Sequence, residues 1–314
     1  MQSDVCGPGP FLRQQGIAAG MTKHHLDGPA YHRLFGCVRV PRDTELTPSV
    51  TARAAIAVVP DAVISHFSAA RIYGAVVPDT PEVHVSVGHR SQRSRRQGLV
   101  VHVAADRQTV PRGSLVLTSP VQTFCDLADE LNLIDLVVCG DSLIHRGCMT
   151  VDAAVAAADQ KTSGARTLAR RAARLLRAGS ESPMETRVRL MLVLAGLPEP
   201  IVNLSLRGVT GLVMYRLDLS YPDLRLAVEY DGRQHAEDAD QWGRDIARRE
   251  WLDDHHWRLL VLRATDIYDR PWETVCRVAA VMATLGYEKS MPSQAPDEFR
   301  LHFPGRPWRA ARAS

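Results

Sequence analysis

The chain is 314 residues long, 45% hydrophobic and 23% charged, and carries a formal charge of +3. That length suits roughly two or three domains with cores of their own, and so balanced a charge excludes a chain that is basic throughout, leaving any nucleic-acid face to local clustering. The six cysteines (6, 37, 125, 139, 148 and 276) show no C-x-x-C pair or zinc-like spacing, and with no apolar run of membrane-spanning length and no signal-peptide order at the start, a cytoplasmic protein without a membrane partner is expected.

Residues 1–10 (MQSDVCGPGP) are expected to be a disordered start. Phe11–Gly20 reads as a short helix, Thr22 opens a second one, and Tyr31–Val40 reads as a β-ribbon. Helix, turn, helix and ribbon is the order of a winged helix over residues 11–45. In that arrangement Lys23, His24, His25 and Arg33 would meet phosphates and bases. A small packing subdomain is the competing reading, because Gly28-Pro29 cuts the second helix short.

A mixed α/β region is expected over 46–160. Thr47-Pro48 is an N-cap followed by proline at the first helical position, and SHFSAARIYG gives a second helix ending at Gly74. Strands are expected at Val83–Val87, Leu99–Val103 and Leu115–Leu117, with the arginine-rich HRSQRSRRQ between the first two. Helices follow at Ser119–Leu131, Leu133–His145 and from Thr150 to Asp159. Residues 161–180 form a basic linker helix. Its segment 164–179 has five arginines and no acid, with Leu168, Ala172, Leu175 and Leu176 on one stripe. Arg170, Arg171 and Arg174 on the other faces suit DNA backbone contact, with interdomain packing as the alternative.

The C-terminal region, 181–288, opens on Ser182-Pro183-Met184-Glu185, a capping box. Three strand-like runs follow, then a polar helix, a buried strand at Trp257–Leu262 and a last helix. The order is αβββαβα, and the tail 289–314, rich in Pro and Arg, is expected to be loosely ordered. Within MYRLDLSYPDLRLAVEYDGRQH two β-prone runs flank Tyr221-Pro222-Asp223, and both carry acids. A two- or four-residue loop puts Asp218 and Glu229 on one side of a hairpin, and the four-residue loop sets them directly opposite. A three-residue loop turns them to opposite faces. Gathered carboxylates are explained either by a hard cation such as Mg²⁺ or by an ion pair with Arg216 or Arg225, and these residues alone leave both open.

The ordered set of ESPMETR, RLDLSYPDLRLAVEYDGRQH and D-x-x-R-R-x-x-x-L ending in HHWRLLVLR resembles the PD-(D/E)xK restriction-endonuclease-like superfamily. Within it, the set is most similar to a bacterial domain family related to very-short-patch repair endonucleases. SHFSAARIYG, VHVSV and LTSPVQTFCDLA resemble the N-terminal part found in such proteins, related to antitoxins of the type IV abortive-infection systems. The resemblance implies an α/β (α+β overall) fold with a restriction-endonuclease-like αβββαβ core behind a winged-helix-like start. It implies a Mg²⁺- or Mn²⁺-dependent DNA endonuclease, with Asp218, Glu229 and the Tyr230 carbonyl as metal ligands and Glu185 as the helix acid that completes the site. Asp231 stands where the superfamily has lysine, so the general base is open, and His235 is the candidate for it. Arg244 and Arg249 suit phosphate contact, and Asp245 and Arg248 lie three apart on one helix face. DNA is the implied partner, with a second copy of the chain or a toxin partner as further candidates. The competing class is a DNA-binding regulator that keeps the nuclease fold without its activity.

Overall fold

The computed structural model describes residues 9–92, 94–162, 164–208, 210–232 and 239–306. It is of mixed α and β class and divides into two compact units, Met1–Arg174 and Leu175–Ser314. The division falls inside the basic helix. Among the described residues no helix is long and apolar enough to cross a membrane.

The first unit begins with β1 (Phe11–Leu12), α1 (Arg13–Ala18), α2 (Lys23–Leu26), β2 (Tyr31–Leu34) and β3 (Val38–Pro41). The strands form an antiparallel sheet in the order β1-β3-β2. The order helix, helix, ribbon is present, preceded by a strand, but α2 is a single turn. Thr22 caps it through a hydrogen bond from His25 N–H, 3.2 Å. One acid ties these pieces together. Arg13 reaches Asp27 with two nitrogens, at 2.9 and 2.6 Å, and Arg39, only 2% exposed, also pairs with it. Arg39 further donates to the carbonyls of Leu26, at 2.6 Å, and Val38, at 3.1 Å. A buried guanidinium is tolerated only when paired and hydrogen-bonded in this way.

The larger sheet of this unit gathers β4 (Val63–Ile64), β5 (Val83–Val87), β6 (Leu99–Val103), β7 (Thr109–Arg112) and β8 (Leu115–Thr118) in the order β6-β5-β4-β8-β7. The β5–β6 and β4–β8 pairs are parallel and the other two antiparallel. Around it lie α3 (Pro48–Val58), α4 (His66–Tyr73), α5 (Pro120–Leu127), α6 (Leu133–His145), α7 (Val151–Gln160) and α8 (Arg166–Leu175). Thr47, Ser119, Asn132 and Thr150 cap α3, α5, α6 and α7 with side-chain oxygens. Gly74, at φ 78°, ends α4 in the left-handed conformation that favours glycine. Tyr73 on α4 donates its hydroxyl to the Thr118 carbonyl, 2.8 Å, fastening helix to sheet across 45 residues of chain.

The second unit runs α9 (Pro183–Leu194), β9 (Ile201–Arg207), β10 (Val213–Tyr221), β11 (Leu226–Tyr230), α10 (Ala239–Asp254), β12 (Arg258–Leu262), α11 (Ala264–Tyr268), α12 (Pro271–Thr284) and α13 (Asp297–His302). Its sheet has the order β12-β11-β10-β9. The β9–β10–β11 meander is antiparallel, and β12 joins β11 in parallel after α10, since a parallel neighbour needs a crossover. Leu217, Ala227, Leu252 and Trp257 form a buried cluster with Leu204, Leu206, Trp251 and Leu259 against it. Of the tail expected to be loose, 289–314, residues 307–314 lie outside the described residues, and the described part carries α13. Phe299 and Phe303 on and after α13 are buried, and Phe299 meets the Trp272 ring edge-on at 5.4 Å. Two aromatic anchors outweigh the Pro/Arg-rich composition around them.

The Asp27 cluster generates a prediction. Hydrogen bonds from Arg13 and then Arg39 hold its carboxyl well below the usual carboxylate range. The folded state therefore favours the ionised form, and this contribution is complete above about pH 4 and fades as acid protonates Asp27 in the fold. Asp27→Asn should lower the melting temperature at pH 7, with a gap to wild type that narrows below about pH 4. Equal melting temperatures at pH 7 would reduce the cluster to a surface contact.

Candidate functional site

The β10–β11 hairpin pairs Tyr221 with Leu226, Ser220 with Ala227 and Leu219 with Val228. The loop thus holds four residues, Pro222 to Arg225, the first three in a single 3-10 turn. Arg225 closes it at φ 48°, a left-handed conformation that costs a non-glycine residue about 1 kcal/mol. Its neighbours hold it there. Arg225 N–H donates to Pro222 O at 2.9 Å, its carbonyl accepts from Arg258 N–H at 2.8 Å, and its side chain donates to His255 O at 2.7 Å.

Extended by one residue, this register sets Asp218 opposite Glu229 on one face of the hairpin. The β9–β10 register, which pairs Leu217 with Leu204, brings Asn203 level with Asp218 on the other side. Asp218 accepts the Tyr230 N–H at 3.1 Å. Burial raises its carboxyl above the ordinary range, opposed by that hydrogen bond and by Arg248 and reinforced by Glu181. Glu229, 8% exposed, pairs with Arg248 of α10, which also donates to the Arg216 carbonyl at 2.8 Å. The Arg248 guanidinium lies 5.8 Å from the Tyr215 ring centre.

Glu185 comes from the first turn of α9. Its N–H donates to Ser182 Oγ at 3.1 Å, the expected half of the capping box. Its carboxylate instead accepts from Glu181 N–H at 2.8 Å and from Asn203 Nδ2 at 2.9 Å. Burial pushes this carboxyl up as well, and Asp218 adds to the rise. Glu185, Asn203, Asp218, Glu229 and Arg248 therefore form one cluster of buried and half-buried polar side chains in the C-terminal unit. The ion-pair partner is Arg248 rather than either arginine expected. Arg216 pairs with Glu181 at 2.5 Å, and Arg225 serves the loop.

The remaining sequence candidates are dispersed. Asp231 is half-buried and donates its N–H to Leu262 O at 2.8 Å. His235 and the side chain of Arg244 lie outside the described residues. Lys23 and His24 are exposed on α2, while Arg33 donates to the Asp27 carbonyl. On α8, Arg170 donates to Asp159 O at 2.7 Å, and both Arg170 and Arg174 approach the Asp159 carboxylate, at 3.6 and 3.8 Å. Those contacts tie the basic helix to the end of α7. Arg171 is exposed.

A second polar centre, unread in the sequence, lies in the first unit. A cleft of about 1090 Å³ is lined among others by His66, His102, Arg107, Asp126, Glu130 and Lys161. The His66 ring stacks on His102 with centres 3.5 Å apart, and His84 Nδ1 lies 3.0 Å from His102 Nε2. Burial, then the charge His102 would carry, lowers the pKa of His66 to about 2 and that of His84 to about 4. Burial pushes Asp126 up to about 6, with Gln122 opposing it. Among the described residues, His66, His102 and Glu130 are the three ligand-type side chains whose donor atoms lie within 4.8 Å of one another. The acids around Asp218 form no such trio. The available signal was period two: His84 and Ser86 share a face of β5, yet every residue of that strand is buried.

No family model matches the chain. Two uncharacterized proteins of Mycobacterium tuberculosis, from strains CDC 1551 and H37Rv, are each 27% identical to it over 215 residues. The matches cover 68% of this chain and 78% of each relative.

The two hairpin acids should respond oppositely to neutralisation. The fold favours the neutral form of Asp218, so the charged form imposes a penalty that sets in as pH rises through the ordinary carboxylate range near 4. Asp218→Asn keeps an acceptor for Tyr230 N–H and should melt at or above the wild-type temperature at pH 7 without metal. Glu229→Gln deprives Arg248 of its counter-charge and should cost on the order of 2 kcal/mol. Thermal or denaturant melts at pH 7 test both, and a reversed order would refute this account of the cluster.

Proposed function

We propose that the C-terminal unit is a metal-dependent DNA endonuclease that hydrolyses phosphodiester bonds, directed to DNA by the N-terminal region. The observation that carries this reading is the placement of Asp218 and Glu229 on one face of the hairpin, directly opposite each other, with Glu229 buried and Asp218 half-buried. Concentrating negative charge in this way costs stability unless a cation or donors compensate. The donor set is hard oxygen, which fits Mg²⁺ or Mn²⁺. Asp218 and Glu229, with the Tyr230 carbonyl, would hold the ion, and when bound it supplies Lewis-acid polarisation of the phosphate and activation of water.

The protein's own groups have separable tasks. Tyr230 N–H orients Asp218, Asn203 and Glu181 N–H fix Glu185, and Arg248 balances Glu229. Arg248 Nε is buried without a hydrogen-bond partner among the described residues, and a phosphate oxygen is an acceptor suited to such a donor. Asp231 and His235 remain candidates for handling the proton of the attacking water.

A second reading is favoured by a specific observation. Arg248 already neutralises Glu229 in the fold, as it would in a DNA-binding, antitoxin-like regulator whose nuclease fold is inactive. Incubating supercoiled plasmid with the full chain and Mg²⁺ or Mn²⁺ separates the two. An active nuclease should nick or linearise it, and Asp218→Asn should lower that rate at least 100-fold while metal-free DNA affinity changes less than about twofold. DNA binding without cleavage at any metal concentration would favour the regulator.

A further inference from the structure

We propose that the arginine-rich loop between β5 and β6 and the β2–β3 ribbon form one face that grips the phosphate backbone of duplex DNA. This face rests on the reading that the N-terminal region meets DNA, and not on cleavage by the C-terminal unit. The loop lies outside the segment with winged-helix order, so helix, turn, helix and ribbon do not point to it.

The two segments meet at the tip of the ribbon. Leu34 pairs with Val38, which leaves Phe35-Gly36-Cys37 as the turn. Phe35 takes φ 51° there and is buried. Its ring packs over Gly98, where an added β-carbon would sit 3.7 Å from it, and its carbonyl accepts from Arg96 Nη1 at 3.4 Å. The loop's own backbone is tied by bonds from Gln92 N–H to His89 O and from Leu99 N–H to Arg96 O, each 3.1 Å. Held in this way, the loop presents Arg90, Arg95 and Arg96 to solvent, and the ribbon it adjoins exposes Arg33 and, just past its end, Arg42.

What sets these five arginines apart is the absence of acid. Residues 28–42 and 83–105 contain no Asp or Glu. Arg33 donates to the Asp27 carbonyl, Arg42 Nη1 lies 3.3 Å from His32 Nδ1, and among the described residues none of the five has a carboxylate partner. Arg13 and Arg39 share Asp27, so this part of the fold neutralises the guanidinium groups it packs and leaves the outward ones with their full charge. Like charges gathered without counter-charge repel one another, a cost that an arriving polyanion relieves. Both segments use arginine and no lysine, and the planar guanidinium fork matches phosphate oxygens two at a time. β2 rises roughly 13 Å over its four residues. Arg42, whose N–H bonds Ala30 O at the start of the ribbon, and Arg96, at its tip, therefore meet different phosphates of a duplex, which carries one per strand about every 3.4 Å of axis. Neither segment has an exposed large apolar side chain among the described residues, as a membrane-surface role would require. With α2 only four residues long, the contact falls on phosphates, which position a duplex without reading its sequence.

The test titrates the full chain, with chelator present so that DNA stays intact, into a fluorescein-labelled duplex and reads anisotropy over a series of salt concentrations. The logarithm of the wild-type binding constant should fall linearly with the logarithm of salt. Arg90→Ala combined with Arg95→Ala should weaken binding at least tenfold at low salt and flatten the slope by about 1.8, two contacts at about 0.9 each. Arg42→Ala should flatten it by about 0.9. Arg90→Lys combined with Arg95→Lys should keep the wild-type slope, and circular dichroism and melting temperature should stay those of the wild type throughout, which separates lost charge from lost structure. Wild-type affinity and slope in the double alanine variant would overturn the proposal and leave DNA binding by the N-terminal region standing. A wild type that binds no DNA would overturn both. Binding to vesicles rich in phosphatidylserine, lost in the double alanine variant and with no binding to DNA, would assign the face to a membrane instead.

Discussion

Strand parity at one loop governs the chemistry of the C-terminal unit. Four residues separate Tyr221 from Leu226, so Asp218 and Glu229 share a face, and a single inserted or deleted residue would turn one of them away. Arg225 holds the count by accepting a left-handed backbone and fastening itself to the strand and helix end behind it. The turn therefore sets the spacing of two acids several residues away, although it carries neither of them. Asn203 belongs to the same row, so three strands contribute one polar residue each at a common level.

The hairpin acids and the histidines of the cleft are accommodated by different physical routes. In the C-terminal unit the acids keep acceptors busy: backbone N–H groups of Tyr230 and Glu181, the amide of Asn203 and the guanidinium of Arg248 all point at carboxylate oxygens. At the cleft of the N-terminal unit the packed polar groups are instead imidazoles, which bond to one another and to serines.

Much of the fold was legible because its signals are local. The caps at Thr47, Thr150 and Ser182 and the stop at Gly74 lie where the helices start and end. The strands Val83–Val87 and Leu99–Val103 have the bounds their β-branched runs suggested. Elements missed include some with little local pattern: β1 and β4 are two residues long, β7 is an exposed edge strand containing Pro111, and α11 and α13 are short. The hairpin acids stood out because they interrupt apolar runs. The choice of Arg248 over Arg216 or Arg225 could not be read, since it depends on how α10 returns across the sheet. The histidine cleft escaped for the same reason: its residues lie on α4, β6 and the α5–α6 turn, and each looks ordinary in its own segment.

A recurring device has a consequence for how this molecule would meet a polyanion. Asp27 is shared by Arg13 and Arg39, Asp159 by Arg170 and Arg174, and Glu199 by Arg177 and Arg189. Six guanidinium groups are thus already matched, two to an acid, inside the protein. The salt dependence of nucleic-acid binding counts the condensed counterions that arriving cations displace, about 0.9 per neutralised phosphate. Cations shared with an internal acid displace fewer. A log–log salt slope estimated by counting arginines along the chain would therefore be too steep, and the true footprint would belong to the basic groups that no carboxylate has claimed.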